Sequence, residues 1–164
     1  MLQIAHQMWR GDEAPFEGRH YRLARPMNSP NSLQRPHPPI LVGGSGERKT
    51  LRLVARYADA CNLFDIPGSG FQDDLSHKLD VLRQHCREVG RDYAEIEKTC
   101  ASVFDLGQDR REGLRRLLEH LRWLAAIGLD HVLLTPPGPW DDETLGALAS
   151  IVPEVHAITS TDRR

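Results

Sequence analysis

A short apolar run, Ile40-Leu41-Val42, breaks directly into Gly43-Gly44-Ser45-Gly46 and then into an amphipathic helix. No other stretch limits the fold as much as this one, from Pro38 to Phe64. The run lacks polar alternation, as expected of a strand buried on both faces. Leu51, Val54, Ala55 and Ala58 recur at helical spacing, which places one face of the next element against a core. Ala60 to Phe64 reads as a second strand. A strand, glycine turn, helix and strand in succession form a βα unit whose turn lies at a helix N-terminus. Backbone N–H groups and the helix dipole make such a turn a good place for an anion.

The rest of the chain repeats the pattern. After Ser69-Gly70, a stripe of Leu75, Leu79, Leu82, Cys86 and Val89 predicts a long helix, with Gly90 as its stop. Asp92 to Ile96 can add one turn, and Thr99 to Phe104 reads as a third strand. Asp109 can cap a helix with Leu114, Leu117, Leu118, Leu121, Leu124 and Ala125 inward, ended by Gly128. His131 to Thr135 reads as a fourth strand, closed by Pro136-Pro137-Gly138-Pro139. Asp141 or Asp142 caps a last helix, which Pro153 interrupts or kinks. Upstream, Leu2 to Arg10 reads as the end of a helix with no N-cap before it, Phe16 to Leu23 as a short extended excursion, and 25–39, with five prolines, as an irregular loop. The division expected is a helix end plus loop insertion over 1–37, a four-unit α/β body over 38–158, and a disordered tail over 159–164.

Alternating strands and helices imply a parallel sheet covered by helices. Two architectures fit, a doubly wound open sheet or part of a (β/α)8 barrel. The four units occupy about 120 residues, half of the roughly 250 of a complete barrel.

Composition narrows the partners. The chain has 164 residues and a net charge of -2, without the basic footprint of a nucleic-acid binder. No apolar run approaches the roughly 20 residues of a membrane span, and residues 1–15 do not read as a signal peptide. Cys61, Cys86 and Cys100 are odd in number and widely spaced, which reads as reduced thiols in a cytoplasmic protein. There is no CxxC or HxxxH pair to suggest a structural metal.

Pro39 to Leu51, followed by Ala58-Asp59-Ala60-Cys61-Asn62, resembles the luciferase-like monooxygenase superfamily, and most of all its F420-dependent oxidoreductase branch. Gly18-Arg19-His20-Tyr21, Lys78 to Leu82, Val89 to Asp92, and Gly128-Leu129-Asp130-His131-Val132 extend the likeness over about residues 1–155. The resemblance implies a (β/α)8 barrel holding coenzyme F420, or FMN as the alternative, at the C-terminal ends of its strands, with a small-molecule substrate. The matching part is the family's C-terminal half, a partial TIM barrel of four βα units. The first strands, which face the reactive ring, have no counterpart here, so the resemblance carries over no catalytic residue. The family's phosphate-contacting turn maps onto Gly43, Gly44, Ser45 and Gly46, and a cofactor-facing strand end onto Asn62. Ala60-Cys61 stands where many members have Gly-Trp or Ala-Trp before that Asn.

Each candidate has a plainer alternative. The glycine turn can be a tight strand-to-helix connection and no more. In the functional reading, glycine lets backbone approach a phosphate, Ser45 donates a hydroxyl, and Arg48 adds charge. Asn62 can reach a pocket or simply bond a loop. Asp59 reads as structural. Trp140 can shield a cofactor, or pack a loop on a helix. The arginines from Arg110 to Arg122 read as a solvated helix face, and Cys61 and Cys86 as packing. A half-barrel also leaves strand edges open near Leu41 and Leu133. Two copies, or a separate N-terminal half, can close them, and such a half-barrel can be a non-catalytic remnant.

Overall fold

The computed structural model describes residues 1–65 and 72–158. The chain divides into two units, Met1–Ile40 and Leu41–Arg164. In the first, α1 (Leu2–Trp9) is followed by an antiparallel ribbon of β1 (Phe16–Glu17) and β2 (Arg22–Leu23). The proline-rich segment is anchored to α1: Trp9 stacks on His37 at 5.1 Å and the Asn31 amide donates to the Trp9 carbonyl at 2.7 Å.

The second unit contains the predicted alternation. Its strands are β3 (Leu41–Gly43), β4 (Ala60–Asp65), β5 (Glu97–Val103) and β6 (His131–Thr135), all parallel and in chain order across the sheet. The helices are α2 (Thr50–Tyr57), α3 (Gln72–Val89), α4 (Arg110–Ala126), and the pair α5 (Asp142–Ser150) and α6 (Val152–His156). Asp109 accepts from the Glu112 N–H at 3.1 Å and Asp141 from the Thr144 N–H at 2.6 Å, so both expected caps form. Pro153 sits at the start of α6, and its missing N–H costs nothing there. The expected lead-in Ser69-Gly70 and the tail 159–164 lie outside the described residues.

The helices cover one face of this sheet. Val42, Cys61, Leu63, Cys100, Val132 and Leu134 point to that face and join two apolar clusters with α2, α3 and α4. Leu51, Val54, Leu82, Leu117 and Leu124 are fully buried there, each contributing about 1.5–3 kcal/mol. The stripe on α3 ends at Cys86, because Val89 in the last turn is 37% exposed. The opposite face is open at its large apolar side chains, with Leu41 57% exposed, Phe64 58% and Leu133 48%, while Ala60 (7%) and Thr99 (4%) on the same face are buried. The expectation that Leu41 lies in a strand buried on both faces is therefore corrected. In this sheet β3 is an edge strand, and alternation turns Leu41 away from the helices.

Two polar clusters are buried on the helical face. β5 begins at Glu97, two residues before the expected Thr99, because Lys98 is only 3% exposed and is drawn in by Asp130. The Lys98 Nζ lies 3.2 Å from Asp130 Oδ2, which also accepts the Lys98 N–H at 3.0 Å. At the other end of the sheet, Asp65 Oδ2 accepts from Ser102 Oγ at 2.7 Å and meets His120 Nε2 at 2.6 Å. Burial pushes the Asp65 carboxyl up, but the hydrogen bonds from His120 and Ser102 outweigh it and hold the group below its ordinary 3.8.

A depressed folded value stabilises the protein above the unfolded value, and that contribution is lost as pH falls through the folded one. Asp65→Asn is therefore expected to cost about 1–3 kcal/mol at neutral pH. It should also flatten the acid limb of a urea-denaturation series taken from pH 7 to pH 3. An acid limb as steep as the parent's would show that Asp65 is not its source.

Candidate functional site

The glycine turn leaves the C-terminal end of β3. Gly43 lies opposite Asn62 in the β3–β4 register, and the Gly44 N–H donates to the Asn62 carbonyl at 3.0 Å. Gly44 has φ +122, a region closed to residues with a Cβ, so the turn needs glycine there. The Gly46 carbonyl accepts from the Leu51 N–H at 3.0 Å, and a Cβ at Gly46 would lie 2.9 Å from Thr50 Oγ1. These bonds hold the turn at both ends. Between them, the backbone N–H groups of Ser45, Gly46, Glu47 and Arg48 have no partner among the described residues. Ser45, Gly46 and Arg48 are exposed, and neither the Ser45 hydroxyl nor the Arg48 side chain is engaged among the described residues.

α3 fixes the far side of the turn. Lys78 Nζ donates to Glu47 Oε1 at 2.5 Å and lies 3.1 Å from Asp74 Oδ1. His85 Nε2 lies 2.8 Å from the Glu47 carbonyl oxygen. The hydrogen bond from Lys78 holds the Glu47 carboxyl below its ordinary value. The one carboxylate of the turn is thus ion-paired and does not oppose an anion at full strength. Sequence spacing does not reveal this latch, since Lys78 and His85 stand more than thirty positions from Glu47.

Asn62 lies inside β4 and not at its end, on the open face beside Thr99. Thr99 Oγ1 is 2.9 Å from both Asn62 Oδ1 and the Cys61 carbonyl. A hydroxyl has one proton and donates to one of them at a time. One polar end of the Asn62 amide stays without a partner among the described residues. In the sequence Thr99 reads as an ordinary β-branched strand residue. Asp59 acts at the strand start, where its carbonyl accepts the Glu97 N–H at 2.9 Å.

The other candidates are elsewhere. Trp140 is 43% exposed and follows β6, where it lines a cavity of about 200 Å³ with Phe104, Arg110, Pro137 and Thr144. Arg110 lies 3.9 Å from Asp141 and 3.8 Å from Glu143, and Arg115 pairs with Glu112 and Glu119 on an exposed helix face. Burial pushes the Cys61 thiol up to about 11 and the Cys100 thiol up to about 12, which leaves neither as a nucleophile.

A model of the luciferase-like monooxygenase family matches residues 1–160. The chain belongs to that family. It is 29% identical over 132 residues to an F420-dependent glucose-6-phosphate dehydrogenase from Nakamurella multipartita, covering 78% of this chain and 35% of that protein. Its fold is similar to that of an F420-dependent secondary alcohol dehydrogenase solved with an F420-acetone adduct (TM-score 0.75, 13% identity, 94% of this chain and 59% of that one). It is also similar to a riboflavin lyase solved with modified FMN (TM-score 0.61, 14% identity, 99% and 57%). The chain thus spans about a third to three fifths of the length of these relatives. Its four βα units form a partial (β/α)8 barrel, which decides between the two architectures that alternation allowed.

The two glycines at the start of the turn should behave differently. Gly44→Ala is expected to cost about 1–3 kcal/mol from backbone strain. Gly43→Ala, whose new methyl meets nothing within 4 Å, should stay within about 0.5 kcal/mol of the parent. Thermal melts of the two variants check the contrast, and equal losses would contradict the assigned turn geometry.

Proposed function

We propose that this chain supplies the C-terminal, cofactor-phosphate-binding half of a luciferase-like F420-dependent oxidoreductase. The observation that carries the reading is the run of N–H groups from Ser45 to Arg48, unpaired among the described residues, at the open end of β3. Successive backbone donors at a turn form a concavity suited to a phosphate, and α2 adds the favourable end of its dipole. The family and its F420-dependent relatives support F420 as the group that brings the phosphate.

The residues present fit that role. The N–H groups of Ser45 and Gly46 and the Ser45 hydroxyl would bind phosphate oxygens, with Arg48 supplying positive charge. Lys78 and His85, through Glu47, keep the turn from shifting when the anion arrives. Gly43 and Asn62 would border the cofactor where it passes from the turn onto the open face. When bound, the deazaflavin supplies hydride transfer to or from an organic substrate. This chain's own contribution is to grip and orient. No residue in it is assigned to the reacting ring.

Fluorescence titration of oxidised F420 with the purified chain tests the reading. Saturable binding is expected, weakened roughly threefold to tenfold by Ser45→Ala through the loss of one hydrogen bond. An F420 signal that stays flat at the highest chain concentration would overturn the cofactor assignment for this chain. A yellow preparation with a flavin spectrum would replace F420 by FMN, the cofactor class seen in the riboflavin lyase.

A further inference from the structure

Asn62 joins the glycine turn to the open sheet face. Its backbone carbonyl accepts the Gly44 N–H at 3.0 Å. Its side chain points away from the helices, because its neighbours Cys61 and Leu63 point into the apolar clusters beneath them. In the register it stands between Gly43 of β3 and Thr99 of β5. Ala60 and Phe64 flank it along β4, and Ala101 follows Thr99 on the same face of β5. None of Gly43, Ala60, Phe64 and Ala101 has a polar side chain. Among the described residues, the neighbour that acts on the Asn62 amide is therefore Thr99, which is only 4% exposed.

A count of protons decides how the three groups meet. Thr99 Oγ1 is 2.9 Å from the Cys61 carbonyl oxygen and 2.9 Å from Asn62 Oδ1. With oxygen at both places, the single hydroxyl proton makes one bond, and the other contact sets oxygen against oxygen. The Cys61 carbonyl is fixed in the backbone. A half-turn of the Asn62 amide, by contrast, exchanges its oxygen and nitrogen at no cost in space. After that turn Thr99 donates to Cys61 and accepts from the Asn62 nitrogen, and both contacts are hydrogen bonds of ordinary length. A bond left unmade at a buried hydroxyl is costly, so the turned amide is the favoured one.

We propose that Thr99 is a positioning residue: it holds the Asn62 amide by its nitrogen and so turns the Asn62 carbonyl oxygen to the open face as a hydrogen-bond acceptor. The inference rests on the cofactor reading above and adds the chemistry of the contact. The ligand group that meets Asn62 is then a donor, an N–H or O–H. A ligand carbonyl is refused there, since oxygen would face oxygen. Deazaflavin and flavin rings both carry an imide N–H, so the contact suits either cofactor. Asn62 thus serves the site twice. Its backbone holds the turn, and its side chain offers an acceptor on the face onto which the turn opens.

Hydrogen exchange at the Asn62 side-chain amide, followed by NMR on the isotope-labelled chain, is the first test. With its nitrogen bonded to Thr99, the amide is expected to exchange roughly threefold to tenfold more slowly than in Thr99→Val, which keeps the shape and removes the hydroxyl. Thr99→Ser, which keeps the hydroxyl, should retain the slow exchange. Equal exchange in the parent and Thr99→Val would overturn the inference, because the nitrogen is then already free in the parent. Titration with oxidised F420 is the second test. Thr99→Val should weaken binding roughly threefold to tenfold, Thr99→Ser should stay near the parent, and Thr99→Val should lose its effect when combined with Asn62→Ala. The same loss with and without the Asn62 amide would mean that Thr99 only supports the sheet, and would overturn the inference. The two proposals fail separately. F420 binding that ignores Thr99→Val sinks the positioning role and leaves the cofactor reading. A parent chain with the slow, Thr99-dependent amide but no F420 binding sinks the cofactor reading and keeps the amide orientation.

Discussion

A parallel sheet has two faces, and water is a poor cover for either when the strands are apolar. In this chain α2, α3 and α4 cover one face, and their buried leucines make most of the core. Nothing among the described residues of the second unit covers the other. Exposed Leu41, Phe64 and Leu133, the open edges of β3 and β6, and the exposure of the glycine turn all follow from that asymmetry. A groove of about 740 Å³ between β6, α4 and the α5–α6 pair, lined by Leu121, Val132 and Val155, belongs to the same unfinished margin.

Two buried polar clusters keep the covered face in register. Lys98 and Asp130 tie the beginnings of β5 and β6, and the Lys98 ammonium lies over the Tyr93 ring, 4.8 Å from its centroid. Asp65, Ser102 and His120 tie the ends of β4 and β5 to α4, with His120 stacked on Trp123. Breaking a buried pair leaves an uncompensated charge and costs more than the pair is worth. Each cluster therefore penalises a slipped strand or a rotated helix. The Asp65 cluster lies at the end of the sheet from which the glycine turn departs, so it also steadies the rim on which the candidate site is built.

Elements whose signal was apolar spacing were legible in the sequence. The α2 face of Leu51, Val54 and Ala55, the α3 stripe to Cys86 and the capped start of α4 at Asp109 form as the pattern requires. What was hidden is polar residues doing buried work. Lys98 and Asp65 carry charges that disguise strand residues as loop, and only partners about thirty to fifty-five positions away make their burial tolerable. The exposure of Leu41 was hidden for a different reason. An apolar run states what a strand prefers to bury, not whether the covering layer is in the same chain. At the site, the turn was visible through its glycines, whereas its latch of Glu47, Lys78 and His85 depends on the docking of α3.

The position of the latch bears on how labour is divided in such a barrel. A cofactor's phosphate tail needs a fixed set of donors, and a fixed set is easiest to build where a turn is held by its own βα unit. Here every restraint on the turn comes from β4, α2 or α3, its nearest neighbours in the chain. Among the described residues the turn is therefore held from within one half of the sheet. The open face is different. There Phe64 is 58% exposed, while Thr99, bonded to Asn62, is only 4% exposed. The restraints on the glycine turn are thus local to these four strands, whereas Asn62 and Phe64 lie on the sheet face that α2, α3 and α4 do not cover.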